Sequence, residues 1–186
     1  MIMVRSLAIA LFSGALIAAA PVPAANSMPA RLLAAHNGER GRVKQPPLIW
    51  DDALARDASV WAKKLADTKS FEHDLKTKQG ENLWAGTTGA YSPEDMVGLW
   101  IEERALFKNG KFPDVSTNGN WLDVGHYTQL IWHNTTHVGC ATARNEEDDV
   151  LVCRYSPPGN WRGEAPLKLE NVAIKPIRSR VFRKKE

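Results

Sequence analysis

Gly125-His126-Tyr127-Thr128-Gln129-Leu130-Ile131-Trp132 and Val150-Leu151-Val152-Cys153-Arg154-Tyr155-Ser156-Pro157-Pro158-Gly159-Asn160-Trp161 are the two stretches on which the fold turns. The first reads as a short helix over 126–132. In the second, the apolar run 150–155 reads as a strand. Upstream of it, Asn145-Glu146-Glu147-Asp148-Asp149 is turn-like and 138–144 reads as a second strand, which makes a hairpin. That hairpin sets Cys140 opposite Cys153. In an oxidising compartment the pair is expected to close a short disulfide loop, worth about 3 kcal/mol. The alternative is two buried free thiols, and the spacing does not suit a CxxC metal or redox site.

The composition agrees with one globular domain. Of 186 residues 44% are apolar and 24% charged, too apolar for a disordered chain and long enough for a real core. The formal charge is +3, too small to point to a nucleic-acid partner. It is also uneven, because residues 164–186 hold seven basic and three acidic side chains. The expected division is a leader over 1–24, a domain over 29–163 and a basic tail over 164–186. Arg5 followed by an uncharged apolar run over 7–20, with Pro21, Pro23 and small alanines behind it, reads as a secretory signal cleaved after Ala24. An uncleaved anchor is the alternative, although the run is shorter than the ~20 residues a spanning helix takes. The expected destination is therefore extracellular or periplasmic, with no transmembrane segment in the mature chain. Arg178, Arg180, Arg183, Lys184 and Lys185 suggest a solvated tail with at most a weak attraction to an anionic envelope or membrane surface.

Helix signals fill the space before the hairpin. Residues 31–40 have helical spacing, Pro46-Pro47 interrupts, and Asp51 or Asp52 caps a helix to about Lys69. Leu54, Ala58, Trp61 and Leu65 lie on one apolar face of that helix. A loop carrying His73 and the tripeptide Gly80-Glu81-Asn82 follows. Ser92-Pro93-Glu94-Asp95 then opens a third helix, read as running to about Phe107. At 100° per residue, Glu103 falls among Met96, Leu99, Trp100, Leu106 and Phe107, while Glu102 points about 100° away. A carboxylate within an apolar stripe must be paired or must border a cavity, so Glu103 is read as the inward acid. A weaker grouping, Val97 and Ile101, leaves open a rotated helix. The loop from Lys108 to Trp121 is long, rich in Gly and Asn, and carries Phe112 and Trp121, so it is expected to move and to offer aromatic surface.

The two opening stretches resemble the signature motifs of the CAP superfamily, which comprises cysteine-rich secretory proteins, antigen 5 and plant pathogenesis-related proteins. His36-Asn37 with Arg40, Pro46-Pro47-Leu48-Ile49-Trp50-Asp51, Trp61-Ala62 and Gly80-Glu81-Asn82-Leu83 extend the match over about 31–161. The resemblance implies an α+β fold, a three-layer α-β-α sandwich. It also implies a cleft with two His and two Glu: His73, Glu81, Glu103 and His126. Plant members have three disulfides and this chain keeps only the one matching Cys140 and Cys153, so the resemblance suggests a short, bacterial member. His36 matches a packing and hydrogen-bonding position of the first helix. Phe112 and Trp121 lie where members with sterol-binding activity place their ligand loop, which marks them as candidate ligand-binding residues beside the tetrad.

Imidazole nitrogen and carboxylate oxygen suit Zn²⁺, so zinc is the candidate cofactor and His73 and His126 its candidate ligands. A hydrogen-bond network ordering the cleft is the plainer reading. Catalysis finds few ingredients: both cysteines are committed, and Thr128 is the nearest candidate nucleophile. The leading expectation is a binding module for a small apolar, lipid-like or peptide-like ligand. A metal-dependent hydrolase is second, and an extracellular interaction or defence factor without a small ligand is third.

Overall fold

Cys140 and Cys153 mark the middle of a four-stranded sheet. In the computed structural model, which describes residues 26–168, the strands are β1 (Ile49–Trp50), β2 (Gly80–Thr87), β3 (His137–Arg144) and β4 (Asp148–Ser156). Their order is β1-β3-β4-β2. The pairs β3–β4 and β4–β2 are antiparallel, and β1 is parallel to β3. The cysteines are direct partners across β3 and β4 and are joined as a disulfide. The expected leader and residues 169–186 of the tail lie outside the described residues.

β4 is apolar on both faces because both faces are covered. Leu151, Cys153 and Tyr155 enter one core with Leu32, Val97, Trp100, Tyr127 and Leu130. These come from the helices α1 (Met28–Arg42), α3 (Pro93–Glu102) and α4 (Gly125–Leu130). Val150 and Val152 enter a second core with Ala58, Ala62, Leu65 and Ala66 of α2 (Asp52–Thr68). The result is the α-β-α sandwich, with α2, among the described residues, the helix on one side of the sheet.

Local chemistry sets the helix ends. Asp51 caps α2, its Oδ1 accepting from the backbone N–H of Ala53 at 2.7 Å and of Leu54 at 3.0 Å. The first turn of α2 crosses β3 so closely that a Cβ on Gly139 would strike the backbone of Ala55 and Asp51. Only glycine fits that crossing. Ser92 and Asp95 form a reciprocal capping box with Pro93 in the first turn of α3. Within α1, Arg40 is buried and acts as a bracket. Its guanidinium donates to the carbonyls of Pro46, Leu130, Trp132 and Thr135 at 2.8–3.1 Å.

Four expectations need correction. Gly80-Glu81-Asn82 begins a strand and is not loop, because β2 is paired along its length with β4. On α2 the buried position is Ala62. Trp61 is only partly buried, its Nε1 donating to the Glu72 carbonyl at 3.1 Å. The third helix stops at Glu102 and tightens into a 3-10 turn over Glu103–Ala105. Its buried face is Met96, Val97 and Trp100, with Leu99 42% and Leu106 37% exposed, so the rotated alternative describes it better.

The fourth correction concerns the aromatic loop. Phe112 offers no surface: it is 6% exposed and packs in a satellite core with Val115, Val124 and Trp132. Trp121 stands edge-on to it at 5.1 Å and stays partly exposed. Backbone bonds explain why the loop is held. Lys108 N–H donates to Val115 and Thr117 N–H to Leu106. Phe112 and the 163–164 backbone exchange bonds in both directions, all at 2.8 Å. Apolar burial plus these bonds outweighs the freedom expected of a Gly/Asn-rich segment.

Candidate functional site

β2 lies at the edge of the sheet, and consecutive residues on it point to opposite faces. Glu81 turns to the α2 side and Asn82 to the side of α3 and α4. Each takes hold of one half of the candidate site.

On the first side, the Glu81 side chain is 5% exposed, and its Oε1 accepts from His73 Nδ1 at 2.6 Å. The same oxygen accepts the Asp74 backbone N–H at 3.1 Å. His73 itself is largely open, its side chain 57% exposed on the loop after α2. On the second side, Glu103 sits where α3 gives way to the 3-10 turn. Its Oε1 accepts from His126 Nδ1 at 2.6 Å and its Oε2 from the Tyr127 backbone N–H at 2.9 Å. Val124, the N-cap of α4, offers that helix no side chain acceptor, so the Glu103 carboxylate serves its first turn instead. The His126 ring stacks on Trp100 at 5.9 Å and 17°, and Trp100 Nε1 donates to the Leu83 carbonyl. Glu102, the rejected neighbour, is exposed.

Asn82, next to Glu81 in the chain, supports the His126 half. Its Nδ2 donates to the His126 carbonyl at 3.0 Å and to the Tyr155 hydroxyl at 3.2 Å. Tyr155 continues to His36 Nε2 at 2.9 Å, and His36 Nδ1 meets the Leu32 carbonyl at 2.7 Å. A carbonyl only accepts, so the His36 proton sits on Nδ1 and the tyrosine donates to Nε2. Burial pushes His36 down to about 4 and pushes the Tyr155 phenol up. Glu39 braces the other flank, accepting from Arg42 at 2.6 and 2.8 Å, Tyr127 Oη at 2.9 Å and Arg104 at 3.2 Å. Burial alone would raise the Glu39 carboxyl, but the bonds from Arg42 and Tyr127 hold it below the usual carboxylate range.

Asn82, Tyr127, Glu39 and Arg154 were not singled out from the sequence as supports of the site. Arg154 did carry a signal, as the one charge inside the run 150–155. Phe112 is buried, as described above, whereas Leu122 and Trp161 are exposed, at 63% and 55%. Thr128 is buried, its hydroxyl directed to Asn160 Oδ1 at 2.7 Å and the Gly125 carbonyl at 3.1 Å, which leaves it committed as a donor.

The donor set suits zinc. In each pair the carboxylate accepts a hydrogen bond from Nδ1–H, so Nε2 carries the lone pair a metal requires. The tetrad nevertheless remains two carboxylate–imidazole pairs. Among the described residues, three potential ligand atoms gather within 4.8 Å only at His36, Cys140 and Cys153, and there both sulfurs are in the disulfide.

The profile of the cysteine-rich secretory protein family, CAP, matches residues 33–155. The chain belongs to this family. Pathogenesis-related protein 1A of Nicotiana tabacum is 37% identical to this CAP chain over 135 residues, 72% of it and 77% of the tobacco protein. GLIPR1-like protein 1 of Bos taurus is 34% identical over 148 residues, 70% of this chain and 59% of the bovine one. Among solved structures, that of NaASP2 with Zn²⁺ superposes with a TM-score of 0.63 at 22% identity, covering 74% of this chain and 83% of the other. Hookworm platelet inhibitor gives 0.62 at 17%, covering 82% and 81%. At such identities these structures speak for the CAP fold alone. The sequence relatives are plant and mammalian, and the bacterial origin expected from the reduced disulfide complement has no support among them. No helix among the described residues is long and apolar enough to cross a membrane.

Proposed function

We propose that this CAP protein is an exported binding module whose cleft takes Zn²⁺ on Nε2 of His73 and His126. The rim beside His126 would be offered to a small apolar or peptide-like ligand. The observation that carries this reading is the matched pair of 2.6 Å carboxylate bonds at Nδ1, one from Glu81 and one from Glu103. They orient both rings and leave both Nε2 atoms without a protein partner among the described hydrogen bonds. The zinc named with the NaASP2 structure points the same way. Bound there, the metal would supply a positive charge and open coordination positions. Two protein ligands fall short of the three that a catalytic zinc takes, and the Thr128 hydroxyl is committed, so binding ranks above hydrolysis. Export is supported by the leader-like 1–24 segment and by the disulfide, which belongs to an oxidising compartment. The similarity to pathogenesis-related proteins supports a defence-type extracellular role as the setting. Leu122, Trp161 and the open edge of Trp121 support the apolar rim, with Phe112 behind Trp121 as its backing.

Zinc titration of the secreted protein tests the metal. The wild type should bind about one equivalent, and His73→Ala/His126→Ala should abolish binding. Equal binding by both proteins would remove this site from consideration. Mass spectrometry of protein purified from its export compartment tests the ligand, which should be retained by the wild type and lost in Trp121→Ala. An empty protein that cleaves peptides in a zinc- and His126-dependent way would place the hydrolase reading first.

A further inference from the structure

We infer that Arg154 is the residue that positions His73, through a buried guanidinium bridge to Asp74 and Glu81. The inference rests on the reading that His73 offers Nε2 to a metal, and it explains how an exposed imidazole can be held ready to do so.

The loop bearing His73 has little else to hold it. Phe71, Glu72, Leu75, Lys76 and Lys78 are all exposed, so almost no apolar burial fixes the segment. Such a loop samples many arrangements unless polar contacts order it. Its main ties are the Trp61 bond to the Glu72 carbonyl and the contacts of Asp74. Arg154 stands behind those contacts. It is the direct partner of Glu81 across β4 and β2, and its side chain is only 2% exposed. Nη2 donates to Asp74 Oδ2 at 3.1 Å, and Nη1 lies 3.0 Å from Glu81 Oε2, close but not aligned as a hydrogen bond.

A buried cation must be paired, and its partners among the described residues are these two carboxylates. The pairing has a directional consequence. With Oε2 drawn to the guanidinium, Oε1 is left for His73 Nδ1–H and the Asp74 N–H. That fixes the imidazole in the tautomer whose lone pair is on Nε2. Asp74, adjacent to His73 in the chain, pins the loop backbone to the same group. One planar fork reaches both acids, whereas a lysine ammonium on its single stem cannot span them in this way.

The test reads the tautomer directly. Long-range ¹⁵N–¹H spectra of the metal-free secreted protein at pH 8 should show both His73 and His126 with the proton on Nδ1. In Arg154→Lys and in Asp74→Ala, His73 should become a mixture of tautomers while His126 stays unchanged, which also reports an intact fold. Asp74→Ala keeps the buried guanidinium, so it decides the matter should Arg154→Lys fail to fold. Zinc affinity should fall about 10- to 100-fold in the same variants. An unaltered His73 tautomer in the folded variants overturns the positioning role. A His73 tautomer that shifts in the variants, together with a wild type that takes up no zinc, upholds the positioning and refutes the metal reading instead.

Discussion

At His36 the energetics of a single proton reach the whole domain. The ring is fully buried between the Leu32 carbonyl and the Tyr155 hydroxyl, and burial pushes it down to about 4. In the unfolded chain it titrates near its ordinary value of 6.5. The unfolded state therefore holds the proton more tightly, and folding is favoured most above pH 6.5. Stability should be lost as pH falls from 6.5 towards 4, by about 3 kcal/mol over that window. Glu39 adds a second loss, since its depressed carboxyl stabilises the fold only above the unfolded value and gives that up as pH falls through the folded one. Urea midpoints at pH 7, 5.5 and 4.5 should show a steep decline in the wild type. His36→Gln should be weaker at pH 7 but flatter across the window; an equally steep variant would contradict the assignment. At this scale the sequence was most legible where periodicity and motif agree. Glu103 was separated from Glu102 by a helical stripe that the structure rotates, together with its place three residues after Trp100 in the family motif, and its bond to His126 is made from the turn beyond the helix. Arg154 and Asn82 escaped because their roles depend on which strand lies beside which, information that no local spacing contains.

At the level of the element, the loop from Lys108 to Trp121 shows how composition misleads. Glycine and asparagine suggested motion, yet Phe112 anchors the segment in its own small core and backbone bonds tie it to residues 163–164. Phe112→Ala should therefore act on stability, costing about 3–5 kcal/mol in chemical denaturation. Trp121→Ala should cost visibly less, because part of that ring already faces water. Equal costs for the two would mean that the loop does not pack as described. β2 was missed for a related reason. Its opening residues Gly80, Glu81 and Asn82 have low strand propensity, and pairing with β4 over its full length overrides that. The third helix was read about five residues too long because Leu106 and Phe107 continue its apolar period after the backbone has already tightened. The hairpin and the caps at Asp51 and Ser92 were readable because a turn between apolar runs and a capping side chain are local signals.

Taken whole, the molecule is a sheet with helices on both sides, and one buried side chain ties together parts of it that are far apart in sequence. Arg40 donates to carbonyls lying 90, 92 and 95 residues further along, at Leu130, Trp132 and Thr135. These bonds form only once α1 has docked against the end of α4, and they are expected to form after the folding barrier has been crossed. The bracket then acts as a latch on the native state's lifetime and not on the speed of reaching it. Arg40→Met should leave the refolding rate nearly constant. Unfolding should quicken on the order of 30-fold, for a loss of about 2 kcal/mol from the abandoned carbonyls. A chevron whose refolding limb drops instead would place α1 docking in the nucleus. For a protein read as working outside the cell, where no chaperone returns an opened chain to its fold, slow opening is the form of stability that matters most.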